Sequence, residues 1–226
     1  LGIWIGPGNA PGEPIPIGRA ADHIAGFCML NDWSARDIQR WEGQPLGPFL
    51  AKNFATFVSP WVITPEAMAP FRLAQDPRPA GDPAPLDYLL DSVDQASGAL
   101  ALHLEAFLMT PGLLAKGMPR IRLSRTTARM LYWTPAQMVA HHTSGGCNLQ
   151  PGDLFGTGTI SGATPDSCGS LLEITAGGRA TIELPSGETR TYLEDGDAVT
   201  FTARAHAPGR ISIGFGECLG KVLPSP

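Results

Sequence analysis

The 226-residue chain is poor in charge. Lys, Arg, Asp and Glu together make up 16% of it, against about 25% in an average soluble protein. The basic sign is the scarcer one. Sixteen Lys and Arg face 21 Asp and Glu, for a formal net charge of −5. No stripe of cations is available to neutralise phosphates, which argues against nucleic acid or an anionic membrane as partner. Long apolar runs are missing as well, and none approaches the roughly 20 residues that span a bilayer. No secretory leader is visible. The four cysteines, Cys28, Cys147, Cys168 and Cys218, form no C-x-x-C pair, so a zinc or thioredoxin-type motif has no support. They are too sparse for a disulfide scaffold and read as reduced, mostly structural thiols of a cytosolic protein.

What is abundant is glycine, 27 residues, and proline, 22. Both break helix interiors, and with low charge they suit many short strands joined by turns. Glycine does not recur every third position, which excludes a collagen helix. The apolar share, 43%, is too high for a disordered chain. The expected class is mostly β with some helix, α+β.

Along the chain, Leu1 to Gly6 reads as the second half of a strand entering a Pro7-Gly8-Asn9 turn. The first residue is leucine, not methionine, and the expectation is that sequence lies upstream. Gly18 to Leu30 has helical character, with Ile24, Phe27 and Cys28 at i, i+3, i+4. Asn31 to Trp41 reads as a loop or short helix, and Phe49 to Val62 as strand and turn broken at Pro60. Four prolines between residues 74 and 85 mark a surface excursion within one domain rather than a linker. Leu100 to Phe107 has the period of two of a half-buried strand. Thr134-Pro135 starts a helix that runs to about Thr143 and stops at Gly145-Gly146. After Leu171 a β-meander is expected, with strands at Leu171–Thr175, Ala180–Leu184, Ala198–Ala205 and Arg210–Phe215.

Several candidate sites weaken on inspection. Gly156 to Gly162 and Gly214 to Gly220 are both G-x-G-x-x-x-G, but neither precedes an amphipathic helix whose amides would hold a pyrophosphate. His141 and His142 are adjacent on a helix and point about 100° apart, so they read as structural or hydrogen-bonded. His103 and Glu105 share a strand face that reads as solvated. No G-x-S-x-G elbow supports a serine triad. The dense segment is Asn31-Asp32-Trp33-Ser34-Ala35-Arg36-Asp37-Ile38-Gln39-Arg40-Trp41. If helical, it puts Asp32, Arg36 and Gln39 on one face, where a carboxylate holds a cation and donors orient an oxyanion. By spacing alone, a surface helix with an Asp–Arg pair is the better reading.

That segment, with Pro45-Leu46-Gly47-Pro48-Phe49-Leu50 and Lys52 after it, resembles the fumarylacetoacetase family. Gly6-Pro7-Gly8-Asn9 and Gly12-Glu13-Pro14-Ile15-Pro16-Ile17 match ahead of it. Tyr132-Trp133-Thr134, His141-His142, Gly146-Cys147-Asn148-Leu149, Pro151-Gly152-Asp153-Leu154, Gly158-Thr159-Ile160-Ser161-Gly162 and Gly169-Ser170-Leu171-Leu172-Glu173 match after it. Gly214 to Cys218 and Gly220 to Pro224 close the series, so the resemblance covers essentially residues 1–226.

The resemblance implies the mixed β-sandwich roll of a C-terminal catalytic domain, a cytoplasmic homodimer, and a small β-diketo acid as substrate. The implied reaction hydrolyses the carbon–carbon bond of 4-fumarylacetoacetate to fumarate and acetoacetate, in tyrosine and phenylalanine breakdown. By resemblance, Asp32 is a ligand of calcium and of a magnesium site that Lys52 and Thr56 complete. Arg36, Gln39 and Lys52 stand near the substrate, Thr159 contacts it, and Glu173 orients the catalytic histidine. Hard cations suit oxygen ligands and polarise a diketone, while cationic and amide donors stabilise an oxyanion. The family's substrate-contacting tyrosine is Gly43 here. Its Glu-x-Glu calcium ligands, a further aspartate and the histidine fall upstream of the position of Leu1. The 226 residues therefore read as a partial catalytic domain, silent alone. Acylpyruvate hydrolysis or decarboxylation within the wider superfamily, and a dimerising fragment without activity, are the competing readings.

Overall fold

A computed structural model describes residues 1–225. In chain order its elements are β1 Gly2–Ile5, α1 Ile17–Ala20, β2 Ile24–Cys28, β3 Leu30–Asp32 and α2 Arg36–Glu42. Then come β4 Thr56–Val58, α3 Pro65–Met68, β5 Arg72–Leu73, α4 Ser92–Ser97, β6 Ala99–Leu100 and β7 Leu102–Met109. They are followed by α5 Pro111–Ala115, β8 Ile121–Thr127, α6 Pro135–Thr143, β9 Leu154–Gly156 and α7 Leu171–Ile174. The last four are β10 Ile182–Glu183, β11 Thr189–Arg190, β12 Ala198–Ala205 and β13 Ile213–Lys221. Strand makes up 26% and helix 24%, so the class is mixed, with strand only just ahead.

Two antiparallel sheets organise the chain. A four-stranded sheet has the order β13-β12-β7-β8 and a three-stranded one the order β2-β1-β9. Ribbons β3-β4, β5-β6 and β10-β11 are added around them. Ile3, Ile5 and Phe27 from the smaller sheet share one core with Leu102, Leu104, Ala203, Ala205 and Phe215 from the larger, joined by Val139 and Ala140 of α6. Each sheet thus buries one face against the other, with α6 closing a side. Burying a side chain such as Phe27 contributes about 1.5–3 kcal/mol. On β7 the alternation is explicit: Leu102 and Leu104 point inward, and Glu105 pairs outward with Arg122 and Arg125.

The helix expected over Gly18–Leu30 is corrected: only Ile17–Ala20 is α-helical, and Ile24–Cys28 is a strand. A buried apolar run carries no period that separates helix from strand. Here β1 lies on one side, and Phe27 exchanges backbone hydrogen bonds with Ile63 at 2.9 and 2.8 Å. Gly26 permits the close approach, because a Cβ there would stand 2.5 Å from Val62 Cγ1 and 2.8 Å from Ile63 O. The expected strand at Leu171–Thr175 is also corrected, to the short helix α7. Ser170 caps it by accepting from Glu173 N at 3.3 Å. The Ser-x-x-Glu spacing of a capping box was the available signal.

The strand expected at Ala198–Ala205 holds, whereas Arg210–Phe215 is corrected to Ile213–Lys221, Ala180–Leu184 shortens to Ile182–Glu183, and Leu100–Phe107 is split between Ala99–Leu100 and Leu102–Met109. α6 begins at Thr134-Pro135 with a full capping box to Gln137 and ends at Thr143. His141 Nδ1 bonds the Tyr88 hydroxyl at 2.7 Å, and His142 Nε2 lies 3.4 Å from Cys147 Sγ. The proline-rich excursion is pinned to the body. Arg78 sits over the Tyr132 and Trp133 rings at 4.3 and 4.2 Å, the Tyr132 hydroxyl donates to Asp82 at 2.7 Å, and Arg129 clasps Asp76.

Candidate active site

The β3-β4 ribbon builds the first half of the site. Pairing places Asp32 directly opposite Thr56. Between these strands the chain turns twice, through α2 and then through the 49–53 turn, where Phe49 O accepts from Lys52 N and Asn53 N, each at 3.0 Å. Lys52 projects back from this turn. Its ammonium lies 2.7 Å from Asp32 Oδ2 and donates to Ser34 Oγ at 2.8 Å and Asp32 O at 3.2 Å. Asp32, Thr56 and Lys52 are therefore brought together. Ser34 is a partner that the sequence reading quoted without a role.

Arg36 and Gln39 stand one turn apart on α2, where Arg36 Nη1 donates to Gln39 Oε1 at 2.7 Å. The helical face expected for Asp32, Arg36 and Gln39 is corrected: Asp32 belongs to β3, and the helix starts only at Arg36. The i, i+4 relation failed because residues 33–35 are extended, held by Trp33 N to Ala55 O at 3.3 Å and Ala35 N to Ala51 O at 3.0 Å. The ribbon outcompetes the helix for these amides.

The second half lies beyond β9. Thr159 is exposed on the loop from Gly156, and its Cγ2 would meet a Cβ on Gly169 at 2.7 Å. Only glycine at 169 lets the two loop limbs close. Glu173, on α7, accepts from Ser161 Oγ at 2.9 Å and Ser170 Oγ at 2.6 Å, both at Oε2. Those hydroxyls fix the carboxylate, and neither serine was singled out from sequence. Gly156 sits beside Leu30 of β3, 3.7 Å from its Cδ2 measured at a built Cβ. Among the described residues, no hydrogen bond or ion pair joins Thr159 or Glu173 to the Asp32–Lys52 group.

The chemistry available is clear for the first half. Arg36 stands against the Gln39 amide and Lys52 against Asp32, donors of the kind that hold a carboxylate or a developing oxyanion. The Asp32–Lys52 pair is partly exposed, with side chains 46% and 29% accessible. Such pairs contribute about 0–1 kcal/mol, so this one orients Lys52 more than it stabilises the fold. A calcium or magnesium site is not complete here. Asp32 and Thr56 offer oxygen, but the Asp32 carboxylate is engaged by an ammonium. No cluster of three His, Cys, Asp or Glu suited to a metal occurs among the described residues. Calcium needs six to eight oxygens, and these residues alone do not fit it.

The model of the fumarylacetoacetate (FAA) hydrolase C-terminal family matches residues 1–223. The chain is 48% identical over 222 residues to the fumarylacetoacetase of Arabidopsis thaliana, covering 98% of this chain and 50% of the relative. It is 45% identical over 225 residues to that of Mus musculus, covering 100% of this chain and 51% of the relative. The chain thus spans about half the length of the curated relatives it matches. Among solved structures it resembles a 5-carboxymethyl-2-hydroxymuconate delta-isomerase from Mycobacterium smegmatis, with TM-score 0.52, 22% identity, and 100% of this chain and 57% of that one covered. A yeast fumarylacetoacetate hydrolase family protein aligns with TM-score 0.54 at 14% identity, covering 100% of this chain and 66% of that one. At such identities the two structures speak for the fold.

Proposed function

The chain belongs to the fumarylacetoacetate hydrolase family, and from that premise we propose that it serves hydrolysis of the carbon–carbon bond of 4-fumarylacetoacetate to fumarate and acetoacetate, in tyrosine and phenylalanine breakdown. The observation that carries this reading is the 45–48% identity to curated fumarylacetoacetases over 98–100% of the chain. In this reading Lys52, Arg36 and Gln39 bind the diketo acid and stabilise the enolate that leaves as the bond breaks. Thr159 contacts the substrate. Glu173, fixed by Ser161 and Ser170, orients the base that activates water. Its Oε1 receives no donor among the described residues and is the oxygen available for that task.

Calcium or magnesium would polarise the diketone when bound. It would need oxygen donors beyond Asp32 and Thr56, and no step here is routed through it. A homodimer is part of the same proposal. Its support is the run of exposed apolar side chains Trp41, Leu46, Leu50, Phe54 and Trp61, an unusual load for a free surface. A cytoplasmic location is proposed too, in keeping with four free thiols. No helix of the described residues is long and apolar enough to cross a membrane.

The test is to follow consumption of 4-fumarylacetoacetate by the full-length protein, any segment upstream of Leu1 included, with calcium and magnesium supplied. Stoichiometric fumarate and acetoacetate are expected. No turnover, or a clear preference for an acylpyruvate or oxaloacetate in a substrate panel, overturns the proposal.

A further inference from the structure

One acidic side chain beside the site has a role that neither motif nor resemblance assigns. Glu42 is the last residue of α2. Its Oε1 accepts from Phe49 N at 2.8 Å and Ala51 N at 2.7 Å, and its Oε2 accepts from Leu50 N at 3.2 Å. Three consecutive amides thus form a nest, the geometry that usually takes up an external anion. Here the anion is the chain's own carboxylate.

The consequence lies in what the nest adjoins. Ala51 is gripped from both sides: its N–H donates to Glu42 at the end of α2, and its C=O accepts from Ala35 N just ahead of α2. The next residue is Lys52. The helix between the two grips carries Arg36 and Gln39. One short turn is therefore tied to both ends of the helix that bears the other two donors. Within the single chain, apolar packing does little to hold this turn, since Leu46, Phe49 and Leu50 are 82%, 57% and 65% exposed and Ala51 is buried. Inside one subunit the turn is held by hydrogen bonds, three of them to the Glu42 carboxylate.

We infer that Glu42 is a positioning residue, a clamp that fixes Lys52 relative to Arg36 and Gln39 so that the three donors converge on one bound diketo acid. The inference rests on the function proposed above for these donors. Glu42 touches no reacting atom and acts through the turn that carries Lys52. Loss of the carboxylate lets the 49–51 amides open to water, and Lys52 then samples positions off its line to Asp32 and Ser34. A displacement near 1 Å of a group that binds the reacting centre costs up to about 100-fold in rate. The surviving Ala35–Ala51 bond keeps the loss partial.

The experiment uses the full-length protein, any segment upstream of Leu1 included, with Glu42→Ala, Glu42→Gln, Lys52→Met and the Glu42→Ala/Lys52→Met double variant. Steady-state kinetics on 4-fumarylacetoacetate and amide hydrogen exchange of residues 49–51 are the readouts. Glu42→Ala is expected to lower kcat by about 10- to 100-fold, with Glu42→Gln between it and the parent. In the Lys52→Met background the same change is expected to cost no more than about twofold, because residues acting as one unit are not additive. A purely structural glutamate would lower the active fraction equally in both backgrounds, so multiplicative losses overturn the inference. Exchange at 49–51 is expected to accelerate in Glu42→Ala, and unchanged protection overturns the clamp. If the parent leaves fumarylacetoacetate untouched, the proposed function fails, while the exchange measurement still decides whether Glu42 holds the turn.

Discussion

In the role proposed for it, Lys52 is cheap for the fold and costly for the chemistry. Its partners, Asp32 and Ser34, lie on a partly exposed ribbon end, where an ion pair is worth about 0–1 kcal/mol. Lys52→Met is therefore expected to change unfolding free energy by less than about 1 kcal/mol. Loss of a donor aimed at developing negative charge is expected to cut kcat by roughly 100-fold or more. Urea unfolding beside steady-state kinetics on one preparation separates the two effects. The cysteines divide by the same logic of exposure. Burial pushes the Cys28 and Cys218 thiols up, away from the reactive thiolate, whereas Cys147 is exposed. An aromatic disulfide reagent at neutral pH is expected to label Cys147 in the native protein and to reach Cys28 and Cys218 only after denaturation. Rapid native labelling of either buried thiol would refute this.

At the scale of elements, what could be read from sequence followed local chemistry. α6 was legible from end to end because its signals are short-range: Thr134 as cap, Pro135 at the first helical position, and Gly145-Gly146 after the stop. The Thr134 hydroxyl accepts from Gln137 N at 3.1 Å and donates to Asp94 at 2.7 Å, while Gln137 Oε1 accepts from Thr134 N at 3.0 Å. Thr134→Ala removes the cap and the Asp94 contact together, an expected loss of about 1–2 kcal/mol, measurable as a shift of the urea midpoint. The misread elements depend on partners far along the chain. Ile24–Cys28 is a strand because β1 and Ile63 supply its hydrogen bonds, and nothing within five residues announces that. The site divides likewise. Asp32, Thr56 and Lys52 were named by resemblance to ordered motifs, while the helical face drawn through Asp32 was lost to the β3-β4 pairing. Ser34, Ser161 and Glu42 carry no special signature, since a hydroxyl or carboxylate becomes a site residue only through the loop geometry that aims it.

Across the whole molecule, the carboxylates set how the fold responds to acid. Hydrogen bonds from Ser186 and Thr110, with help from Arg190, hold the Glu188 carboxyl down at about 2, against its ordinary 4.5. Backbone amides lower Glu42 and Glu66, and Arg129 lowers Asp76. A group whose folded value is depressed stabilises the protein fully above its unfolded value, and that stability is lost as pH falls through the folded value. These four groups therefore act together below about pH 4.5. Asp94 opposes them: burial raises its carboxyl despite the Thr134 hydrogen bond, so acid relieves its cost. Glu188 carries the one large shift among these carboxylates, so the net is a loss on acidification. The Glu188 share is concentrated where Arg190, itself buried, also pairs with Asp197 at 2.8 Å and ties the β10-β11 ribbon to the start of β12. The urea midpoint of the full chain is expected to be level between pH 7 and 5 as far as these groups govern it, and to fall between pH 4.5 and 3. Glu188→Gln is expected to start lower at neutral pH and to fall less steeply over that interval, because its amide does not titrate. Parallel acid slopes for parent and variant would mean that the Ser186–Thr110–Arg190 cradle does not couple Glu188 to folding.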